Sequence, residues 1–489
     1  MKIKLLRALL ASSLFAASLS ACSAKDFAAS QFGVSAGGAT LNTRSIQFAI
    51  DYISQNGGGR LVFSSGRYLT GTIHLKSDVT LQLEEGAVLL GSTNPFDYDH
   101  EDVPFDYNKT TSTSLIFGKG LHDIGITGPG TVDGQGAALA ENVTDYARKG
   151  FINDPLRGRP SEDHRPMLIN LYSCDRVTLK EVTLKDSSCW VQMYNQCRHV
   201  DLDHIRVISR AFWNNDGVDI VDCDDFKVSN SSFDCSDDGI CLKSIDPQAR
   251  CQHIWIRNNS VTSDASGIKF GTASFGGFND VHVLQNRVYN TYRGAIALET
   301  VDGGYLEDVE VDGLQAVNVG NAIFLRAGAR LGARKGRLEN VRIKNVSVEI
   351  GGKDVPRTVA PVVIVAGLPD IIVSNVKLDN IVVKAPGGGD SAAAKITLDN
   401  LSAIPENPSN YPEFSMFGEL PAWGVYLRHA QGIQFSGLSL SCAQPDYRTT
   451  IVLDDVHQSG FKNLRINGAS GKKKNLHASH SSEIAAPKK

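Results

Sequence analysis

Apolar and polar residues alternate along most of the chain in short runs that break at a bend and then resume. Alternation at every second position is typical of strands, and the whole pattern recurs about every two to three dozen residues, which indicates a solenoid. Helical solenoids would need apolar positions three and four residues apart through long segments, and the sequence lacks them. The pattern therefore predicts stacked coils of short strands, a parallel β-helix. Its clearest copies begin at Val177, Val200, Phe226, Ile254 and Val281, and weaker ones at Ile124, Val309, Val341, Ile371 and Ile433.

A short helix is expected at the N-terminal end of this solenoid. Asn42 or Thr43 is suited to cap it and Gly57 to end it. An amphipathic helix can cover the open end of a stack of coils. We therefore expect one β-helix domain over residues 31–470, with residues 60–92 as its first coils. The helical spacing is carried by Ile46, Ala49, Ile50 and Ile53.

Two stretches, residues 93–165 and 385–425, interrupt the period and are expected to form loops that project from the coils. The tail over residues 471–489 is polar and rich in Lys, Ser and Ala, so we expect it to be disordered.

Residues at the same position of successive coils form a column along the solenoid, which we call a lane. Two lanes of the repeat predict internal stacks. The sequence has nine cysteines, and without Cys22 eight remain, an even count that in an exported chain would suggest a disulfide framework. However, four of them lie three residues before the first apolar position of their coils, namely Cys174, Cys197, Cys223 and Cys251. In later coils the same place is held by Phe278, Leu306, Leu338 and Leu368. We therefore expect a buried stack of thiols, and not a metal site, because a vertical ladder does not form a tetrahedron. Asn259 and Asn286 share another lane, which predicts an amide ladder.

The first residues resemble an export signal. A positive start at Lys2, Lys4 and Arg7 precedes a mainly apolar stretch at residues 9–17 that is too short to span a bilayer. We therefore expect a cleaved signal peptide over residues 1–21.

The end of this signal, Leu19-Ser20-Ala21-Cys22, resembles the bacterial lipobox. It implies that Cys22 is acylated and begins the mature chain, followed by a linker over residues 22–30. Ser23 resembles the signal for sorting to the outer membrane, on its periplasmic or cell-surface side. The alternative is an ordinary signal peptide cut nearby.

The formal net charge of −4 implies no strong field for nucleic acid or for a membrane surface. We expect no nucleic-acid partner, membrane contact only through the lipid on Cys22, and a monomer. Function must then come from local sites.

A second repeat carries the candidate chemistry. It runs through residues 216–220, 238–242 and 266–270, and a fourth copy begins at Arg293-Gly294 with one extra residue. The apolar members face inward, so the residues between them face outward. One outer face should therefore carry Asp216, Asp219, Asp237, Asp238, Lys243, Lys269 and Glu299.

Coils of a parallel sheet lie about 4.8 Å apart, so Asp216 and Asp238 are expected one coil apart with Asp237 diagonal to Asp216. Such a cluster is costly unless a cation or a shared proton compensates for the repulsion. The first would suggest calcium, and the second gives an acid and a base suited to glycoside hydrolysis. The alternative is a solvated acidic edge. The flanking Trp213 and Asn214 favour a site.

Residues 214–219, Asn-Asn-Asp-Gly-Val-Asp, resemble the Asn-Thr-Asp motif of the polygalacturonase family, glycoside hydrolase family 28. Residues 236–240, Ser-Asp-Asp-Gly-Ile, resemble its Asp-Asp motif at the expected distance of one coil. The likeness extends from Gly33 to about Ile466, and further matching stretches are residues 37–43, 83–89 and 128–134. It implies an all-β, single-stranded, right-handed parallel β-helix of the pectate-lyase-like kind, with a short N-terminal capping helix.

The resemblance also implies a mechanism. Asp237 would protonate the leaving glycosidic oxygen, while Asp216 and Asp238 hold and deprotonate the attacking water. This is single-displacement, inverting hydrolysis of a pectic polysaccharide without metal or cofactor.

Two departures from the family pattern affect the expected substrate. The histidine of its Gly-His-Gly motif is replaced by Ser266, and the two cations of its Arg-Ile-Lys motif are replaced by Ala297 and Glu299. Lys269 could restore a cation, or it could pair with Glu299 or with the acids. Rhamnogalacturonan, or another galactan with a neutral sugar on the leaving side, is therefore preferred to polygalacturonan. The substrate-binding candidates are Trp213, Asn214, Lys243, Ser266, Lys269 and Glu299.

Two other functions stay open. A calcium-dependent lyase of the pectate lyase kind would release unsaturated products, and a non-catalytic glycan-binding surface protein could have kept the solenoid. The two projecting loops could close one end of the groove and make the enzyme act from chain ends.

Overall fold

The computed structural model describes residues 25–103, 112–333, 335–351, 361–389, 398–468 and 475–485. Cys22 and the expected signal peptide lie outside these residues. None of the helices described has both the length and the apolar character needed to cross a membrane.

Short strands make up most of the chain. The first nineteen, up to the strand that follows the candidate acids, are β1 (Asp26–Ala28), β2 (Gly59–Phe63), β3 (Gly66–Thr70), β4 (Ile73–His74), β5 (Val79–Leu83), β6 (Ala87–Gly91), β7 (Ser114–Lys119), β8 (His122–Thr127), β9 (Thr131–Asp133), β10 (Met167–Tyr172), β11 (Asp175–Lys180), β12 (Thr183–Lys185), β13 (Gln192–Asn195), β14 (Arg198–Asp203), β15 (Arg206–Ser209), β16 (Val218–Val221), β17 (Asp224–Ser229), β18 (Ser232–Cys235) and β19 (Ile240–Ser244).

Several of the later strands are longer, because they turn a corner without a break. The later strands are β20 (Cys251–Arg257), β21 (Ser260–Ser263), β22 (Ile268–Ser274), β23 (Gly277–Leu284), β24 (Arg287–Thr300), β25 (Tyr305–Asp312), β26 (Gln315–Ala327), β27 (Arg337–Ile350), β28 (Val363–Ala366), β29 (Val373–Gly387), β30 (Ala422–Gln431), β31 (Gln434–Gln444), β32 (Thr449–His457), β33 (Gly460–Lys462), β34 (Arg465–Asn467) and β35 (Leu476–Ser479).

Each strand pairs in parallel with the equivalent strand of the next coil, which gives three ladders along the solenoid. The first ladder includes β2, β5, β8, β11, β14, β17, β20 and β23, and the second includes β3, β6, β9, β12, β15 and β18. The third ladder runs through β4, β7, β10, β13, β16, β19, β22 and β24, and it continues to β35. The core lies inside the coils, since Val177, Val200, Phe226 and Ile254 are buried in register as the repeat predicted.

The helices lie outside the ladders. The helix α1 (Thr43–Gln55) buries Ile46, Ala49, Ile50 and Ile53 against the first coil, which confirms the predicted cap. A second helix, α2 (Gly136–Arg148), buries Leu139, Ala140 and Val143. Short 3-10 helices occur at Ala29–Phe32, Pro95–Asp97, Glu162–His164 and Leu398–Ala403.

Three predicted boundaries are wrong. The expected linker over residues 22–30 contains β1, which pairs with β2 and extends the first ladder beyond the first coil. The expected loop over residues 93–165 contains β7, β8 and β9, a full coil that includes the weak copy of the repeat at Ile124, as well as α2. The expected disordered tail over residues 471–489 contains β35, which pairs with β32 and lengthens the third ladder. By contrast, the described residues 398–421 contain no strand, as expected for the second loop, although β29 and β30 enter the two ends of its predicted range, 385–425.

The internal stacks are confirmed. The cysteines from Cys174 to Cys442 are free thiols, and Cys251 pairs in register with Phe278. In the coil after that of Leu338, the residue in register with this stack is Val373 and not Leu368 as predicted. The strand of that coil starts later than the repeat suggested. The amide ladder is also present, with Asn259 Nδ2 donating to Asn286 Oδ1 at 3.1 Å.

Candidate active site

The candidate acids lie at the starts of consecutive strands in the third ladder. Asp216 precedes β16, Asp238 precedes β19 and Ser266 precedes β22. The Gly217 N–H donates to the Asp238 carbonyl oxygen at 2.9 Å. The Gly239 N–H donates to the Ser266 carbonyl oxygen at the same distance. These residues therefore stack on one lane, one coil apart, as the repeat predicted.

The glycine after each of these residues follows from the close approach of the coils. A Cβ atom on Gly217 would lie 2.4 Å from the Gly239 carbonyl oxygen, and one on Gly239 would lie 2.3 Å from a Val261 methyl carbon. No real side chain tolerates such contacts, so the position needs glycine. The Asp-Gly repeat read from the sequence is thus a packing requirement that holds the acids in register.

Asp237 is half-buried and faces an open cleft. Its Oδ1 accepts a hydrogen bond from the Asp238 N–H at 2.9 Å. Burial, and then the negative charges of Asp216 and Asp238, raise the pKa of Asp237 to about 7. A carboxyl group with this pKa keeps its proton near neutral pH and can give it to a leaving oxygen.

Asp238 is held as a carboxylate. Its Oδ1 accepts from the Ser266 N–H at 2.9 Å, and its Oδ2 lies 3.1 Å from Lys269 Nζ. Burial alone would raise the pKa of Asp238, but the charges of Lys269 and Arg293 outweigh it and leave this pKa below its usual value. The site thus places a carboxyl group whose pKa is raised to about 7 next to one whose pKa is lowered.

Asp216 and Asp219 share one cation. Lys243 Nζ lies 3.1 Å from Asp216 Oδ2, contacts Asp219 and lies 4.7 Å from the centre of the Trp190 ring. Burial, together with the charge of Asp219, raises the pKa of Asp216 to about 7 despite Lys243. The Lys243 side chain is itself buried. Its position therefore fits a structural partner of the acids better than the substrate contact that the sequence suggested.

Lys269 pairs with the acid cluster, which is one of the two roles left open for it. Besides Asp238, its Nζ contacts the Tyr411 hydroxyl at 2.5 Å and lies 4.7 Å from the centre of that ring. Arg293 lies 3.2 Å from Glu413. Tyr411 and Glu413 belong to residues 398–421, which we call the cover loop. Neither Arg293 nor the cover-loop residues are among the site residues that the sequence predicts.

The cover loop is tied to the coils by two buried arginines. Arg326 donates to the Glu406 carbonyl oxygen at 2.8 Å, and Arg428 donates to the Ile404 carbonyl oxygen at 2.8 Å. Phe414 and other apolar side chains of the loop pack against Phe324. The loop is therefore a built part of the wall beside Lys269.

Glu299 lies beneath this cover. It is buried, and its Oε2 has no hydrogen-bond partner within the described part of the chain. Burial raises the pKa of Glu299 to about 8 against the opposing charge of Lys269. With Ser266, Ala297 and Phe324 it lines a pocket of only about 10 Å³, room for one water-sized group.

The cleft that Asp237 lines is open. Its volume is about 520 Å³, and its lining includes Arg210, Trp213, Asp264 and Arg293. The Trp213 side chain is 63% exposed, and Arg159 lies 5.1 Å from the centre of its ring. Trp213 is thus placed to stack on a sugar, whereas Trp190 is buried.

Asn214 offers less to a ligand than the sequence suggested. It takes a left-handed conformation, with φ of 61°, and its Oδ1 accepts from Arg165 at 3.0 Å. Arg165 is buried and also donates to the Trp213 carbonyl oxygen at 2.8 Å. Arg165 therefore fixes the turn that presents Trp213.

The donor set does not suit calcium. Ligand atoms of Asp216, Asp238 and Cys241 lie within 4.8 Å of one another, which is close enough for a metal ion. However, calcium takes oxygen ligands, and one of the three atoms is a thiol sulfur. Each of the two carboxylates already contacts an ammonium group, Asp216 that of Lys243 and Asp238 that of Lys269. The cluster is compensated by ammonium groups and protons.

Comparisons with known proteins agree with this architecture. The family model for glycosyl hydrolases family 28 matches residues 61–396. The chain is 26% identical over 324 residues to a probable polygalacturonase of Vitis vinifera, covering 64% of this chain and 58% of the relative. It is 26% identical over 292 residues to an exo-poly-alpha-D-galacturonosidase of Dickeya chrysanthemi, covering 51% and 48%. The chain thus spans about half to three fifths of the length of these curated relatives.

Solved structures show the same fold. An exopolygalacturonase from Thermotoga maritima superposes with a TM-score of 0.61 at 24% identity, covering 74% of this chain and 87% of that one. A family 28 exopolygalacturonase from Yersinia enterocolitica gives 0.67 at 20% identity, covering 95% and 78%. They confirm the predicted all-β, right-handed parallel β-helix with a short helix. From its site motifs, its coils and the match over residues 61–396, this chain belongs to glycosyl hydrolases family 28.

Proposed function

We propose that the protein is an inverting glycoside hydrolase that acts on pectic polysaccharide. The observation that carries the proposal is the pair of adjacent acids, in which Asp237 faces the cleft and Asp238 lies 3.1 Å from Lys269 Nζ. The pKa of Asp237 is raised to about 7 and that of Asp238 is lowered, which agrees with this arrangement. A glycosidase needs both a proton donor and an ionised base at one pH. Membership of family 28 supports the same chemistry.

In this mechanism Asp237 protonates the glycosidic oxygen as the bond to the anomeric carbon breaks. Asp238, with Asp216 beside it, orients a water molecule on the opposite face of the sugar and takes its proton. Lys269 keeps Asp238 ionised, and Lys243 stabilises the negative charge of Asp216. A single displacement of this kind inverts the anomeric configuration.

For the substrate, we propose a polymer with a neutral sugar on the leaving side, such as rhamnogalacturonan or a related galactan. A uronate needs an available cation, but Lys269 already pairs with Asp238 and Arg293 with Glu413. Ala297 offers no charge in the small pocket, and Glu299 brings a carboxyl group to it. A neutral hydroxyl or methyl group fits that pocket without adding a negative charge.

Action from a chain end is favoured by a separate observation. The cover loop reduces the space beside Lys269 to about 10 Å³, whereas the cleft beside Trp213 keeps about 520 Å³. A polysaccharide chain can leave the site freely only on the open side. We therefore propose that the enzyme releases short products from one end of the polymer.

The test is incubation of the purified protein, without calcium, with polygalacturonan and with rhamnogalacturonan. New reducing ends without the absorbance of unsaturated products would support hydrolysis, and faster release from rhamnogalacturonan would support the neutral-sugar subsite. Unsaturated products would indicate a lyase. No release from either polymer, despite binding, would favour a glycan-binding protein.

A matched pair of variants links the activity to the site. Asp237→Asn should abolish release. Asp225→Asn alters a partly exposed acid on β17, in the first ladder, and should leave release unchanged. Near-normal activity of Asp237→Asn would contradict the assignment of the acid.

A further inference from the structure

The N-terminal end of the solenoid carries an aromatic surface that the coils do not cover. The rings of Phe27, Phe32, Phe48 and Tyr52 lie against one another, with centroids 5.6 to 6.5 Å apart. We call these four residues the aromatic cap. Phe48 is 61% exposed and Tyr52 is 42% exposed. Exposed aromatic clusters of this kind mark surfaces that contact another phase or molecule.

The exposed side of α1 has the composition of an interfacial helix. Arg44, Phe48 and Tyr52 follow one another at intervals of four residues, so they share a face. The opposite face of α1 is the buried one that closes the first coil. Aromatic rings flanked by a cation are typical of helices that lie at the headgroup level of a bilayer.

The path of the chain identifies what lies against this face. β1 begins at Asp26, and Phe27 within it already contacts the aromatic cap. Cys22, the residue expected to carry lipid, precedes Lys25 by three residues. Three residues span at most about 10 Å, and the headgroup layer on each side of a bilayer is roughly 5–7 Å thick. A lipid on Cys22 would therefore bring the aromatic cap to the bilayer surface.

We propose that the aromatic cap lies on the bilayer to which Cys22 is anchored, with Phe48 and Tyr52 among the headgroups and Arg44 facing their phosphates. The proposal rests on acylation of Cys22 and is independent of the catalytic assignment. It also sets the position of the active site. Asp216 belongs to the coil that is four spacings beyond the first, so the cleft stands about 20 Å along the solenoid axis from the first coil, which the cap covers.

The test uses the lipidated full chain in vesicles of phosphatidylethanolamine and phosphatidylglycerol whose acyl chains are brominated near the headgroup. Phe48→Trp places a fluorophore in the aromatic cap. Tyr289→Trp is the matched control, because Tyr289 is 43% exposed but lies on β24, in a later coil. We expect the brominated lipid to quench most of the added emission of Phe48→Trp and none of that of Tyr289→Trp, each compared with the parent chain.

Equal quenching of the two variants, or none at Phe48→Trp, would overturn the proposal. So would failure of the parent chain to float with the vesicles, since the cap would then have no bilayer to contact.

A second measurement separates the bilayer from a second copy of the chain. The unacylated Cys22→Ser chain should sediment as a monomer, with or without Phe48→Ser. A dimer that Phe48→Ser dissociates would assign the aromatic cap to self-association and overturn the proposal. Arg44→Glu changes an exposed residue and should keep the fold while weakening the quenching of Phe48→Trp in vesicles that contain phosphatidylglycerol.

Discussion

Replacing Lys269 by Met tests whether a buried cation keeps the catalytic base ionised. Lys269 Nζ lies 3.1 Å from Asp238 Oδ2, and the two side chains are 2% and 5% exposed. At that distance the attraction is about 5 kcal/mol for an effective dielectric constant of about 20, before desolvation is subtracted. Loss of a neighbouring opposite charge raises a carboxyl pKa by about 1–3 units. Breaking one partner from a buried pair costs about 3–5 kcal/mol of unfolding free energy.

The direction in which the pH profile moves follows from the role of Asp238 as the base. Its pKa is lowered in the folded protein, so its stabilising contribution is present above the usual carboxyl pKa and is lost as the pH falls through the folded value. In Lys269→Met the acidic limb of the kcat/KM profile should therefore move to higher pH. Reducing-end release at a series of pH values measures the limb, and denaturant unfolding at neutral pH measures the stability.

Lys180→Met is the matched control. Lys180 Nζ also lies 3.1 Å from a carboxylate oxygen, that of Asp201, but the two side chains are 46% and 40% exposed. Such a surface pair contributes about 1 kcal/mol or less. An unmoved acidic limb in Lys269→Met, or a stability loss no larger than that of Lys180→Met, would refute the reasoning.

Three further predictions concern the cover loop and the core. Glu299→Gln should raise the unfolding free energy at pH 8 by a few kcal/mol but not at pH 5. Burial holds the pKa of Glu299 at about 8, so the tendency of this carboxyl group to ionise opposes folding increasingly as the pH rises towards that value. Thermal unfolding of both chains at the two pH values checks this, and equal gains at pH 5 and pH 8 would contradict it. Arg326→Ala should loosen the cover loop, so protease cleavage within residues 398–421 should become faster while the coils stay intact. Asn286→Ala should lower the unfolding free energy by about 1–3 kcal/mol, because it leaves backbone groups unpaired in the buried ladder; Asn318→Ala, in an exposed amide pair, should change it little.

The sequence was sufficient to predict the coils and the lane of acids. Both depend on a repeat whose inward residues must be apolar and whose closest approach requires glycine, as at Gly217 and Gly239. A parallel stack then converts equal positions in the repeat into neighbours in space, which is why the sequence alone places Asp216 and Asp238 one coil apart.

The contacts that could not be predicted are those made by residues outside the regular positions of the repeat, or by residues that another segment covers. The sequence predicts Arg293 only as the start of a fourth copy of the repeat, and the fold brings its charge close to Asp237 and Asp238. Tyr411 reaches Lys269 from 142 residues away along a loop without periodicity. The burial of Lys243 was equally hidden, since an outward-facing position on a strand does not reveal what packs over it.

The stereochemistry of the first product tests the central claim most directly. Proton NMR spectra recorded during the first turnovers on the preferred polymer distinguish the two anomers before mutarotation mixes them. Inverting hydrolysis through Asp237 predicts that the new reducing end first appears with the configuration opposite to that of the bond cut, and that Asp237→Asn gives no signal. A first product with retained configuration would contradict the single displacement and the roles given to the three acids.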